Sequence, residues 1–150
     1  MGTAVFAGSF DPFTVGHADI VQRALRLFGK VIIAVGYNEN KRYMLPTDRR
    51  IAAIASLYAS DPRVEVCGYE GLTVDFVRRT GADFILRGAR SAIDFEFERT
   101  LADTNRAVAG VETVILFSRP ELAFVSSSMV RELIHNGYDV TSYVAVADYR

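Results

Sequence analysis

The stretch TAVFAGSFDPFTVGH, Thr3 to His17, decides how this chain folds. Thr3–Ala7 is a short apolar run with no polar alternation, the pattern of a strand covered on both faces. Gly8 and Ser9 leave the backbone open, and Asp11-Pro12 shapes a turn. A helical stripe of Ile20, Val21, Ala24, Leu25 and Phe28 follows at once. Strand, turn and helix in that order open a crossover unit. A connector needs only turn chemistry, yet this one adds a titratable ring, His17, where the helix begins.

Working outward, the same alternation runs along the chain. Val31–Gly36, Val64–Cys67, Phe84–Leu86 and Thr113–Phe117 read as four further strands. Ile51, Ile54, Ala55 and Tyr58 form a second helical stripe, with Thr47 expected as its N-cap. Leu72–Thr80 stops at Gly81, Phe95–Ala109 before Gly110, and Ser127–Asn136 at Gly137. Strands separated by helices must run parallel, since each return needs a crossover. The expected fold is α/β: one domain over residues 1–150, a doubly wound, Rossmann-like sheet of five parallel strands. No repeat, low-complexity segment or linker interrupts it.

Composition narrows the classes of function. The chain has 150 residues, half of them hydrophobic and 23% charged, ordinary for a globular domain able to bury a core. A net charge of −1 gives no basic field for nucleic acid or an anionic membrane. Of the 17 basic residues only Lys30 and Lys41 are lysines, and arginine suits bidentate contact with phosphate. The single cysteine, Cys67, has no internal partner and reads as a strand residue in a reducing compartment. With no targeting segment and no long apolar window, a soluble cytoplasmic protein is expected.

A doubly wound sheet places function in the crevice beyond the carboxyl ends of its strands. The segments there are GSFDPFTVGH, YNENKRYMLP, RGARSAIDFEFE and SRPELAFVSSS, all rich in unusual polar residues. Gly8 and Ser9 let a phosphate approach the backbone, and the helix that follows favours an anion. Ser126-Ser127-Ser128 opens another helix, an ordinary cap taken alone and a phosphate cradle in combination with the other loops. Asp11 is read as structural, and Arg99, Arg106 and Arg131 as solvated helix charges. There is no Walker lysine pattern and no G-x-G-x-x-G.

Taken in order, Ser9, Thr14-x-Gly16-His17, Lys41, Arg87-Gly88-x-Arg90, Asp94-Phe95-Glu96-Phe97-Glu98 and Ser126-Ser127-Ser128 resemble bacterial phosphopantetheine adenylyltransferases, over about Thr3 to Asp139. T-x-G-H alone marks only a wider nucleotidyltransferase superfamily; the other elements make the match specific. The resemblance implies transfer of AMP from ATP to 4′-phosphopantetheine, giving dephospho-coenzyme A and pyrophosphate by direct in-line attack. It implies Mg2+ as cofactor, a homohexamer, and coenzyme A as a feedback inhibitor. His17, Lys41 and Arg90 would be catalytic. Ser9, Phe10, His17, Gly88, Ala89, Arg90, Glu98 and Leu122, Ala123, Phe124, Val125, Ser126, Ser127 and Ser128 would bind ATP, with Asn105 a weaker candidate. Ser9, Lys41, Thr73 and Arg87 would bind the acceptor.

The chain departs from the family pattern at Leu122 and Phe97, where an aromatic residue and a tyrosine are usual, and in Tyr138–Arg150, which lacks an expected proline-containing segment and full last helix. The rival readings are a related adenylyltransferase with another phosphorylated acceptor, a cytidylyltransferase, and a non-catalytic nucleotide sensor. A cytidylyltransferase would carry R-T-x-G-I-S-T in place of Val125-Ser126-Ser127-Ser128.

Overall fold

The computed structural model describes residues 1–149. Five strands, β1 (Thr3–Gly8), β2 (Lys30–Gly36), β3 (Val64–Tyr69), β4 (Phe84–Ala89) and β5 (Glu112–Phe117), alternate with five helices. These are α1 (Val15–Ala24), α2 (Thr47–Leu57), α3 (Thr73–Thr80), α4 (Ala92–Ala109) and α5 (Ser127–His135). All strand pairs are parallel, in the order β3-β2-β1-β4-β5. The expected α/β, Rossmann-like sheet of five parallel strands is what forms.

Alternation along each strand divides the core in two. Ala4 and Phe6 of β1 pack with Ile33, Ile20, Val21, Ile54 and Val130 on one face. Val5 and Ala7 pack with Ile32, Ala34, Val74, Phe76 and Val77 on the other. Both faces of β1, β2 and β4 are covered, so these central strands are largely apolar on both sides, while the edge strands β3 and β5 expose Glu65 and Glu112.

Polar or glycine residues hide strand ends from an apolar pattern. β3 continues through Gly68 and Tyr69, and β4 through Arg87, Gly88 and Ala89, because β2 and β5 supply hydrogen-bonding partners to those positions. Arg87 and Gly88 therefore sit on a strand rather than in the loop after it. At α2 the expected cap differs: Pro46 holds the N-cap position and Thr47 is the first helical residue. The Thr47 hydroxyl is taken instead by the guanidinium of Arg50, 2.9 Å away.

The centre of the sheet opens at its carboxyl end. β1 and β4 pair only from Ala4↔Phe84 to Phe6↔Leu86 and then part, while each stays paired to its outer neighbour. This is the point where strand order reverses, the usual position of a binding crevice in open α/β sheets. Arg87 reaches into the split and donates to the freed carbonyl of Ala7 at 2.9 Å.

The segment after α5 returns to this region. Val140, Val144, Val146 and Tyr149 join the core. Val144 bridges Thr14 in antiparallel fashion, and two main-chain bonds, Val15 N–H to Tyr143 and Ala145 N–H to Phe13, tie tail to loop. The Tyr149 hydroxyl donates to Asp11 Oδ1 at 2.5 Å. Within the unusual C-terminal segment, residues 138–149 thus pack by strand-like contacts and a short 3₁₀ turn, Ala147–Tyr149, in place of a last helix; Arg150 lies outside the described residues.

Candidate active site

A cavity of about 320 Å³ occupies the split. Its wall contains Ser9, Phe10, His17, Lys41, Arg87, Gly88, Arg90, Val125, Ser126, Ser127 and Ser128, together with Arg131. Four cationic side chains and one imidazole face it, and no carboxylate belongs to its wall among the described residues.

The question raised by His17 has a local answer. Thr14 is the N-cap of α1: its hydroxyl accepts the N–H of His17 at 3.2 Å, and its own N–H donates to His17 Nδ1 at 3.0 Å. This reciprocal capping box usually uses Glu or Gln at the third helical position. Using histidine instead fixes chemistry as well as structure. A nitrogen that accepts a backbone N–H carries no proton, so the neutral ring keeps its proton on Nε2. Burial lowers the His17 pKa to about 4, and the charges of Arg90 and Arg87 push the same way. His17 is therefore a neutral Nε2–H donor near pH 7.

The rings around it hold it in place. Phe10 lies 5.0 Å from the imidazole, edge to face, and packs in the same way on Phe6 and Phe13. Phe10 has φ of 50°, a left-handed conformation that costs a non-glycine residue about 1 kcal/mol or more. Gly8 gives it room, since a Cβ there would stand 3.1 Å from the Phe10 ring.

Asp11 is structural, as expected. It is buried, and its carboxylate accepts the amides of Met44 (2.6 Å) and Leu45 (3.2 Å) as well as the Tyr149 hydroxyl. It ties the first loop to the segment that carries Lys41. Lys41 Nζ lies 3.4 Å from Ser9 Oγ, so these two candidates meet.

The serine run divides its labour. Ser126 caps α5 by accepting from Met129 N–H at 3.0 Å, and Ser127 Oγ donates to the Pro12 carbonyl at 2.8 Å. Ser128 Oγ stands 3.3 Å from the Arg131 guanidinium, which also donates to the Asp11 carbonyl at 2.8 Å. Arg131 is thus a wall residue and not a solvated charge, a correction to the reading from sequence. The signal was available: Arg131 lies three and four residues beyond Ser128 and Ser127, on the same helix face.

Other candidates stand apart. Arg87 binds Glu98 through two bonds of 2.7 Å, which places Glu98 behind Arg87 and off the main wall. Thr73, Glu98, Leu101 and Asn105 line a second cavity of about 210 Å³ that shares Arg87 with the first. Ala89, Leu122, Ala123 and Phe124 do not line the main cavity. Phe124 is largely exposed and stacks edge-on against Tyr143. Arg90 is held toward α4 by Asp94 at 3.5 Å. Cys67 is half-buried on β3, and burial raises its thiol pKa, in keeping with a strand residue.

Residues 5–133 match the cytidylyltransferase-like family. A phosphopantetheine adenylyltransferase of Porphyromonas gingivalis is 57% identical over 94% of this chain and 92% of its own length. One of Phocaeicola vulgatus is 51% identical over 96% of this chain and 95% of its own, and one of Flavobacterium psychrophilum 46% over 98% and 97%. Among solved structures, a bifunctional NMN adenylyltransferase/ADP ribose pyrophosphatase of Francisella tularensis superposes with a TM-score of 0.75 over 99% of this chain. At 18% identity that likeness concerns the fold alone, and this chain spans 46% of that protein. No helix among the described residues is long and apolar enough to cross a membrane. With a sheet split at its switch point, a capped histidine in that split and these relatives along nearly the whole length, the chain belongs to the phosphopantetheine adenylyltransferase family of nucleotidyltransferases.

Proposed function

We propose that this protein transfers AMP from ATP to 4′-phosphopantetheine in the cytoplasm, giving dephospho-coenzyme A and pyrophosphate, the penultimate step of coenzyme A synthesis. The observation that carries this reading is a cavity walled by Lys41, Arg87, Arg90, Arg131 and the His17 ring, with no acid on its wall among the described residues. Such a wall suits two anions brought together and offers no general base. None is required, because the nucleophile is an ionised phosphate.

An acceptor oxygen forms a bond to the α-phosphorus while the bond to the β-phosphate oxygen breaks, and no proton moves. The protein's part is alignment and charge stabilisation. His17 donates its Nε2–H to the α-phosphate as charge builds there. The Ser9–Lys41 gap and Arg87 take the acceptor phosphate, with Thr73 and the second cavity accommodating its arm. Ser128, the first-turn amides of α5, Arg90 and Arg131 take the departing pyrophosphate.

Among the described residues no three His, Cys, Asp or Glu side chains converge as a metal site. Lysine, arginine and serine do not fit a protein-held Mg2+, so the ion belongs to the ATP complex as substrate, and no step is routed through it. A homohexamer and feedback by coenzyme A complete the reading.

The test is a panel: protein, Mg2+ and ATP with phosphopantetheine, unphosphorylated pantetheine, nicotinamide mononucleotide or no acceptor. Pyrophosphate release with phosphopantetheine alone is expected. Release with nicotinamide mononucleotide instead would reassign the acceptor, and ATP binding without release would leave a sensor.

A further inference from the structure

Arg50 is 1% exposed, among the most deeply buried large side chains of the molecule, and it is a cation. Its Nε donates to the Leu45 carbonyl at 3.0 Å. One terminal nitrogen donates to the carbonyls of Ser9 and, at 3.5 Å, Gly36; the other donates to the Thr47 hydroxyl at 2.9 Å. The Tyr43 ring covers the guanidinium at 4.0 Å. None of these partners is anionic. A buried charge whose hydrogen bonds all go to neutral groups costs stability relative to an apolar side chain, so a cation at this core position calls for another use.

The partners show the use. Ser9 is the first residue after β1. Gly36 is the last residue of β2, from which the Lys41 segment leaves, and Leu45 is where that segment returns. Tyr43 belongs to the segment: its hydroxyl accepts Asn38 N–H at 3.0 Å, and Lys41 Nζ lies 5.6 Å from the same ring. One side chain thus grips the Ser9 backbone, both ends of the Lys41 segment and a ring within it.

We infer that Arg50 is a positioning residue for the acceptor phosphate, holding Ser9 and Lys41 at the separation that this phosphate requires. Arg50 does not touch the acceptor and acts through those two residues. Its hydrogen bonds reach none of Ser126–Ser128, Arg90 or Arg131. Ser9, which the resemblance gives to both substrates, is held through its carbonyl alone, so the larger effect falls on the acceptor side, where Lys41 stands. A lysine would keep the charge and lose the planar fork that reaches several carbonyls at once. The inference rests on the proposed acceptor assignment.

The experiment compares wild type, Arg50→Lys, Lys41→Ala and the double variant, with ATP binding measured by calorimetry and phosphopantetheine turnover by steady-state kinetics. Arg50→Lys is expected to lower kcat/KM for phosphopantetheine about 10- to 100-fold, the scale of a small misplacement, with the ATP Kd changed less than about twofold. In the Lys41→Ala background the same change is expected to cost much less, since the residue it positions is gone. Equal damage to ATP affinity, or full additivity with Lys41→Ala, would overturn the inference. If Arg50→Lys fails to fold, Tyr43→Leu removes the ring over the guanidinium and must give a smaller loss of the same selective kind; no selective loss overturns the proposal. Wild-type protein that does not turn over phosphopantetheine sinks the acceptor reading and this inference with it, whereas wild-type turnover with an ATP-selective defect sinks the inference alone.

Discussion

His17 shows how one side chain can satisfy a folding rule and a catalytic one. The bond from Thr14 N–H that closes the capping box also removes the proton from Nδ1 and leaves Nε2–H for a ligand. His17→Ala is expected to fold and bind ATP but to lose at least about 10² in kcat, the value of one positioned donor. Near-normal kcat would end that role. A pH profile separates ring from substrate. The acceptor phosphate has a second ionisation near pH 6 and its dianion is the better nucleophile, so kcat/KM should rise through about pH 6 and level off. His17, with its pKa lowered to about 4, contributes no limb in that range. Its effect is on stability. The unfolded ring binds a proton near its ordinary value of 6.5 and the folded ring only near 4, so stability falls as pH drops through that window. The motif was legible in sequence; the capping role of the ring was not, because histidine is not the usual residue at that position.

At the level of elements, the split between β1 and β4 decides what can bind, and Arg87 is its wedge. The side chain joins the Ala7 carbonyl on β1 to Glu98 on α4. Arg87→Ala should therefore have two effects. Acceptor use falls, and Glu98, 6% exposed, is left as an unpaired buried carboxylate, a loss of about 3 kcal/mol. Urea unfolding of Arg87→Ala and of Arg87→Ala with Glu98→Gln checks this: the second change should restore much of the lost stability without restoring turnover. If the double variant is no more stable, the pair is not what holds Glu98. Strand and helix order were readable from apolar runs, because β1, β2 and β4 are covered on both faces. The ends of β3 and β4 were not, since Gly68, Tyr69, Arg87 and Gly88 owe their strand pairing to neighbours rather than to their own apolarity. Arg50 escaped for a related reason. It stands four residues before Ile54 on the buried face of α2, and only the carbonyls around it show why a cation belongs there.

For the whole molecule, the outer face of α4 is uncovered among the described residues. Ile93, Phe97 and Val108 lie along it, and Ile93 is 83% exposed and Phe97 61%. Apolar side chains aligned on one helix face and left in water suit self-association. The homohexamer implied by resemblance is expected to appear by light scattering at micromolar concentration, and to weaken when Phe97 is changed to Glu. A mass of about one chain for the wild type would remove it. Sequence could not supply this, because a stripe that is buried within the fold and one left for a copy look alike until the fold is known.

The Asp11–Tyr149 bond joins residues 138 positions apart. The sheet closes through shorter separations, such as 27 between Ala4 and Val31 and 80 between Ala4 and Phe84. Long-range contacts form late, because chain entropy must be lost before they return anything. The expected order of folding is that strands and covering helices assemble first and the tail docks onto the histidine loop afterwards. A nearly folded chain can hold its whole sheet and still be inert. Refolding protein would regain its helical signal before its turnover, and the interval between the two would measure how long the tail takes to arrive.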